Sequence, residues 1–179
     1  IVPDEHTIDH LERSVRAGNP YLESFFEKTF FEKIGKESPH LIGLSVASVE
    51  QLYPGLILAR MARELFPECR TVIGGPWVSA ARHLLEPLVS ADLPVDYAVI
   101  FEGERPLLEL ERVSRGEGEL KSVPSLVYRD GAGAPRHTAI DPPVHLNELP
   151  TPDFTGIDFA QYPDRMLPIQ TTRHCAWGK

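Results

Sequence analysis

The sequence has only two cysteines, Cys69 and Cys175, among its 179 residues. Two cysteines cannot form the disulfide framework that holds many small secreted domains together, and this favours a cytoplasmic protein. No run approaches the roughly 18 consecutive apolar residues that a membrane-spanning helix needs. We therefore expect a cytoplasmic protein with no membrane as its partner.

Basic residues are also fewer than acidic ones. The chain has 18 Lys and Arg and 26 Asp and Glu, which gives a net charge of −8. The sequence contains no dense basic run, so nucleic acid and anionic membranes are not expected as partners. Hydrophobic residues make up 42% and charged residues 25% of the chain, a composition typical of globular proteins. The length allows one full domain and a short appendage.

Helical and strand patterns alternate in the middle of the chain. Apolar residues recur at helical spacing over residues 19–36, 50–66, 78–89 and 106–113. Short apolar runs occupy residues 41–46, 71–75 and 97–101, and continuous runs of this kind are typical of parallel strands covered on both faces. The alternation predicts an α/β fold with a doubly wound parallel sheet, similar to the Rossmann and flavodoxin folds.

The C-terminal part of the sequence has a different character. Residues 125–129 and 136–139 flank a glycine-containing turn and predict a β-hairpin. Prolines then become frequent between residues 141 and 168. We expect an α/β domain of residues 1–140, followed over residues 141–179 by a Pro-rich linker and the start of a further, truncated domain.

Candidate binding residues follow the three predicted strands, because ligands of open α/β sheets bind outside the carboxyl ends of the strands. Hydroxyl groups follow the first strand, bare glycine backbone follows the second, and two carboxylates flank a glycine after the third. The candidates are Ser45, Val46, Ser48, Gly74, Gly75, Pro76, Glu102, Gly103 and Glu104. The same residues also suit ordinary strand-to-helix turns, in which Ser48 would cap a helix.

Four separated pieces of the sequence, in order, resemble a known family. The run Leu41-Ile42-Gly43-Leu44-Ser45, followed after one helix by Thr71-Val72-Ile73-Gly74-Gly75-Pro76, resembles the cobalamin (vitamin B12)-binding domain. The later Glu102-Gly103-Glu104 and Thr171-Thr172-Arg173-His174-Cys175 narrow the resemblance to the N-terminal half of cobalamin-dependent radical SAM enzymes. This group includes enzymes of the anaerobic magnesium-protoporphyrin ester cyclase type.

The resemblance implies an enzyme in its full-length form, although the chain alone is not expected to be catalytic. Cobalamin would bind to the α/β domain. A [4Fe–4S] cluster and S-adenosylmethionine would belong to a C-terminal radical SAM barrel, which would be the partner of this domain. Cys175 would be the first thiolate ligand of the cluster. Because Lys179 stands where the usual spacing has the second cysteine, an ordinary linker role for Cys175 stays open.

The resemblance also assigns roles to the strand-end residues. Ser45 and Val46, with Ser48 nearby, would line the slot for the dimethylbenzimidazole tail of cobalamin. Gly74 and Gly75, which Pro76 follows, would let the tail pack on bare backbone. A leucine at Gly75 is accordingly expected to fill the slot and leave the fold largely intact. Residues 102–104 would lie beside the nucleotide or the edge of the corrin.

Two alternatives for the chain remain at this point, and the role of Trp77 also stays open. The chain could be a regulatory or interaction module with a receiver-like or flavodoxin-like sheet and no cofactor. It could also be a stand-alone carrier of cobalamin, but the Pro-rich segment and the run Thr171-Thr172-Arg173-His174-Cys175 argue against this. Trp77, which follows Pro76, could either stack on a ligand or cover the edge of the sheet.

Overall fold

The computed structural model describes residues 5–34 and 37–161 and contains a sheet of five strands. The strands are β1 Leu41–Ser45, β2 Arg70–Gly74, β3 Tyr97–Val99, β4 Leu126–Arg129 and β5 Pro135–His137. The α-helices are α1 Glu5–Ala17, α2 Pro20–Phe26, α3 Glu32–Ile34, α4 Leu52–Leu65, α5 Pro76–Ala80, α6 Leu85–Ser90 and α7 Glu104–Ser114. The predicted alternation of helix and strand in the middle of the chain is confirmed.

The strands lie in the order β1-β2-β3-β4-β5. The β1–β2 and β2–β3 pairs are parallel, whereas the β3–β4 and β4–β5 pairs are antiparallel. The predicted hairpin therefore exists and extends the parallel part of the sheet. The protein is mixed α/β and consistent with a Rossmann-like fold. Within the described residues, β1 is an edge strand.

The larger hydrophobic core lies on one face of the sheet. Ile73 of β2, Ala98 of β3 and Val127 of β4 are fully buried there. They belong to one cluster with apolar side chains from α1, α4, α5 and α6, including Leu56 and Leu85. The helices that connect β1 to β2 and β2 to β3 thus pack on the same face.

A smaller core lies on the opposite face, because successive side chains of a strand point to opposite sides. Val72, Val99 and Leu126 pack there against Leu110 of α7. Gly43, two residues before the end of β1, is exposed. Helix α7 therefore covers the centre of this face, and the surface near β1 remains open.

The predicted helix over residues 19–36 contains an irregular turn. Asn19 caps α2, and its side-chain oxygen accepts hydrogen bonds from the backbone N–H groups of Tyr21 and Leu22. The chain then forms a π-helical turn over Glu27–Phe31 before α3. Phe31 is buried against Phe66, so this segment packs beside α4.

Asp96 connects the beginnings of β2 and β3. Its carboxylate accepts a hydrogen bond from the backbone N–H of Thr71 at 2.8 Å and pairs with Arg63 at 3.1 Å. Arg70 lies 3.5 Å from the second oxygen. The Asp96 side chain is only 13% exposed, so solvent screens these interactions poorly.

We expect Asp96→Ala to lower the free energy of unfolding by about 2–3 kcal/mol, because it leaves a buried N–H group unpaired and breaks a partly buried ion pair. Asp92→Ala is the matched control. Asp92 pairs with Arg16 at 2.7 Å, but both side chains are highly exposed, and the expected loss is below about 1 kcal/mol. Urea unfolding measures both values, and equal losses would contradict this role of Asp96.

The chain divides into two compact units, residues 1–141 and residues 142–179. The described part of the second unit, residues 142–161, contains two short 3-10 turns, Leu146–Glu148 and Phe159–Gln161. In the ranges 5–34 and 37–161, no helix has the length and apolar character needed to cross a membrane.

Candidate functional site

A cavity of about 280 Å³ lies at the carboxyl ends of β1, β2 and β3. It is on the face of the sheet that carries the smaller core, where α7 leaves the surface near β1 open. Val72 and Val99 of the sheet and Leu107 of α7 are among its apolar walls. This is the edge at which α/β sheets bind ligands.

Two glycines form part of the cavity floor. A Cβ atom at Gly43 would lie 3.8 Å from Val72 Cγ1 and 4.0 Å from Leu107 Cδ2. A Cβ atom at Gly74 would lie 3.7 Å from the carbonyl oxygen of Val99. These are ordinary van der Waals distances, so both positions have room for a side chain. The cavity exists partly because these two side chains are missing.

Gly75 also lines the cavity but has a different role. Its φ angle is +103°, a backbone conformation that residues with a Cβ atom rarely adopt. A Cβ atom there would lie 2.7 Å from the carbonyl oxygen of Val46 and 2.9 Å from its nitrogen. The expectation that a leucine at Gly75 leaves the fold largely intact is therefore wrong, because the side chain would be directed against the backbone that follows β1.

Four of the predicted site residues meet at the cavity. Ser45 is opposite Gly74 in the register of β1 and β2, and Gly75 follows directly. Gly103 occupies the N-cap position of α7. All four line the cavity, although they come from three separate segments of the chain.

Val46 and Ser48 do not line this cavity. Val46 is 2% exposed, lies in the larger core, and donates a backbone hydrogen bond to the Gly74 carbonyl at 2.8 Å. Ser48 occupies the N-cap position of the 3-10 turn Val49–Gln51. Its hydroxyl hydrogen bonds to the Glu50 carboxylate and lowers the pKa of that group, and a backbone hydrogen bond adds to the effect.

The other predicted residues begin helices or precede them. Pro76 is the first residue of α5, Glu104 is the first residue of α7, and Glu102 precedes the Gly103 cap. None of the three lines the cavity. Trp77 packs against the larger core, which agrees with the alternative that it covers the sheet.

Sequence reasoning missed Phe101 as a site residue, although it lines the cavity. Its φ angle is +66° and its side chain is 45% exposed. The backbone N–H of Phe101 donates to Ser79 Oγ at 2.8 Å, and the Ser79 hydroxyl donates to the Gly75 carbonyl at 3.1 Å. Ser79 thus links the turns that follow β2 and β3. The available sequence signal was an aromatic residue at the end of a predicted strand.

The cavity has no metal-ligand set. In the part of the chain that the structure describes, no three His, Cys, Asp or Glu side chains are grouped so that they could hold a metal ion. Cys175, the predicted cluster ligand, lies outside the described residues.

No match to this chain was found among family models, curated proteins or solved structures. The function proposed below therefore rests on the residues around the cavity.

Proposed function

We propose that this chain is the cobalamin-binding part of a radical SAM enzyme and that its cavity holds the dimethylbenzimidazole tail of the cofactor. One observation carries this proposal. Ser45, Gly74, Gly75 and Gly103, which the family resemblance assigns to the tail or its surroundings, all line one cavity. Neighbouring parallel strands bring these residues to one edge of the sheet, and the missing side chains at Gly43 and Gly74 leave room for a ligand there.

The lining suits a flat aromatic ring. Gly43 and Gly74 offer bare backbone on which a ring can lie, and Val72, Val99 and Leu107 offer apolar contact. Burial of an apolar ring in such a site contributes roughly 25 cal/mol per Å² of apolar surface removed from water. The lining contains no charged side chain, so a neutral ring would displace no water shell from a charged group there.

The size of the cavity favours the tail over the whole cofactor. At about 280 Å³, it is near the lower end of small-molecule pockets, which span roughly 300–1,000 Å³. Such a volume accommodates one fused ring system and leaves the corrin outside. Phe101 and Leu107, 45% and 41% exposed, provide an apolar surface near the opening for the corrin or the partner barrel.

In this proposal the sheet belongs to a doubly wound cobalamin-binding fold, and further parallel strands would join it at the free edge of β1. The residues of this chain bind the tail and shield it from water. When bound, cobalamin together with the cluster and S-adenosylmethionine supplies the radical or methyl-transfer chemistry. This division of labour places substrate recognition in the barrel.

Binding of hydroxocobalamin tests the proposal. We expect the chain to co-elute with the corrinoid in gel filtration and to take on its visible absorbance. Cobinamide, which lacks the nucleotide tail, should bind at least about tenfold more weakly, because one desolvated ring accounts for more than 1.4 kcal/mol. Equal affinity for the two corrinoids would contradict the assignment of the cavity. Absence of binding to either would favour the regulatory or interaction module.

A further inference from the structure

A guanidinium group stacks on the aromatic side chain near the cavity. Arg82 is exposed at the start of the 3-10 turn Arg82–Leu84, and its Cζ lies 5.3 Å from the centroid of the Phe101 ring. This distance is within the range of cation–π interactions. Because Phe101 lines the cavity, a positive charge lies next to the site.

Arg82 differs from most arginines of this protein. Others pair with carboxylates, as Arg60 does with Glu64 and Arg105 with Asp141, each at 2.6 Å. Over residues 5–34 and 37–161, no carboxylate lies within ion-pair distance of Arg82. A cation–π contact uses none of the five N–H donors of the guanidinium, so Arg82 can bind an anion while it stays over the ring.

The position of this pair is built into the fold. Phe101 has a φ angle of +66°, a strained conformation for a residue other than glycine. Ser79 holds the strained backbone by accepting the Phe101 N–H, and it also donates to the Gly75 carbonyl. Arg82 follows three residues after Ser79. The backbone of Phe101 is thereby held beside the cavity, within reach of Arg82.

We propose that Arg82 binds a phosphate ester on the ligand whose aromatic ring occupies the cavity, which makes the ligand class an aromatic nucleoside phosphate. The inference rests on the proposed function, since the tail of cobalamin carries such a phosphate. With a net charge of −8, the protein as a whole repels anions. A local cation is therefore needed to hold a phosphate at this site.

The test compares α-ribazole, the nucleoside of the tail, with its 3′-phosphate by NMR titration of the full chain. The wild type should bind the phosphate about tenfold more tightly, as expected for one charge-assisted contact. Arg82→Gln should reduce this ratio to below about twofold and leave the affinity for α-ribazole unchanged. Arg82→Lys should retain part of the preference for the phosphate, because lysine keeps the positive charge but lacks the planar donors of arginine.

Arg13→Gln is the control, because it removes the same charge from an exposed position on α1, which packs on the opposite face. It should preserve the wild-type ratio. A ratio of one in the wild type, with hydroxocobalamin still bound, would overturn the role of Arg82 and leave the proposed function intact. If Arg13→Gln reduced the ratio of the two affinities as much as Arg82→Gln does, the role of Arg82 would be overturned as well. If neither nucleoside nor hydroxocobalamin binds, the proposed function fails and this inference fails with it.

Discussion

Gly74→Val is expected to weaken hydroxocobalamin binding at least about 100-fold, which corresponds to about 2.7 kcal/mol. The Cβ atom would fit at ordinary contact distance from Val99, and the two methyl groups would occupy the floor of the cavity. Valine also suits a strand, so the substitution should not disturb β2. Gly43→Val should act in the same way beneath Leu107. Equilibrium titration followed by absorbance measures both effects.

Gly131→Val is the matched control for these variants. Gly131 lies in the turn between β4 and β5, has no atom within 4 Å of a built Cβ, and does not have a positive φ angle. We expect it to bind hydroxocobalamin as the wild type does. Wild-type affinity in a folded Gly74→Val protein would show that the tail binds elsewhere.

Gly75→Ala is expected to lower the free energy of unfolding by about 3 kcal/mol or more, because it combines a strained φ angle with a backbone clash. The added Cβ atom would lie 2.7 Å from the Val46 carbonyl oxygen. That carbonyl also accepts a hydrogen bond from the Trp77 N–H at 3.1 Å, so it cannot move without disturbing the start of α5. Urea unfolding measures the loss.

Gly74→Ala provides the comparison, since it adds the same methyl group to the neighbouring residue. Its Cβ atom would meet Val99 at 3.7 Å, and we expect a change in stability below about 1 kcal/mol. Similar stabilities for the two alanine variants would mean that the turn after β2 relaxes around Gly75. In that case the glycine is not required by the backbone.

The sequence predicted the elements well because their signals are local. Apolar runs mark β1, β2 and β3, and the Gly-Gly pair marks the end of β2. The different roles of Gly74 and Gly75 could not be predicted, because they depend on where β2 ends. Gly74 is the last residue of β2, opposite Ser45. Gly75 lies in the turn that follows, where its φ angle is +103° and a Cβ atom would meet the Val46 backbone.

Residues whose role depends on tertiary contacts were harder to predict. Of residues 102–104, which were expected beside the nucleotide or the corrin, only Gly103 lines the cavity, and Phe101, which was not predicted, lines it as well. The backbone N–H of Phe101, a residue with a positive φ angle, donates a hydrogen bond to Ser79, which lies in α5. The stacking of Arg82 on Phe101 likewise joins two turns that no local pattern connects.

The central claim is that the cavity beside α7 holds the tail of cobalamin, and amide chemical shifts of the ¹⁵N-labelled chain test it most directly. On titration with hydroxocobalamin, the largest changes should occur at Gly43, Gly74 and Gly103, which line the cavity. Gly55 and Ala59 of α4, which packs on the opposite face, should change little. Stoichiometric binding that leaves the three cavity glycines unshifted, or that shifts mainly α4, would contradict the claim.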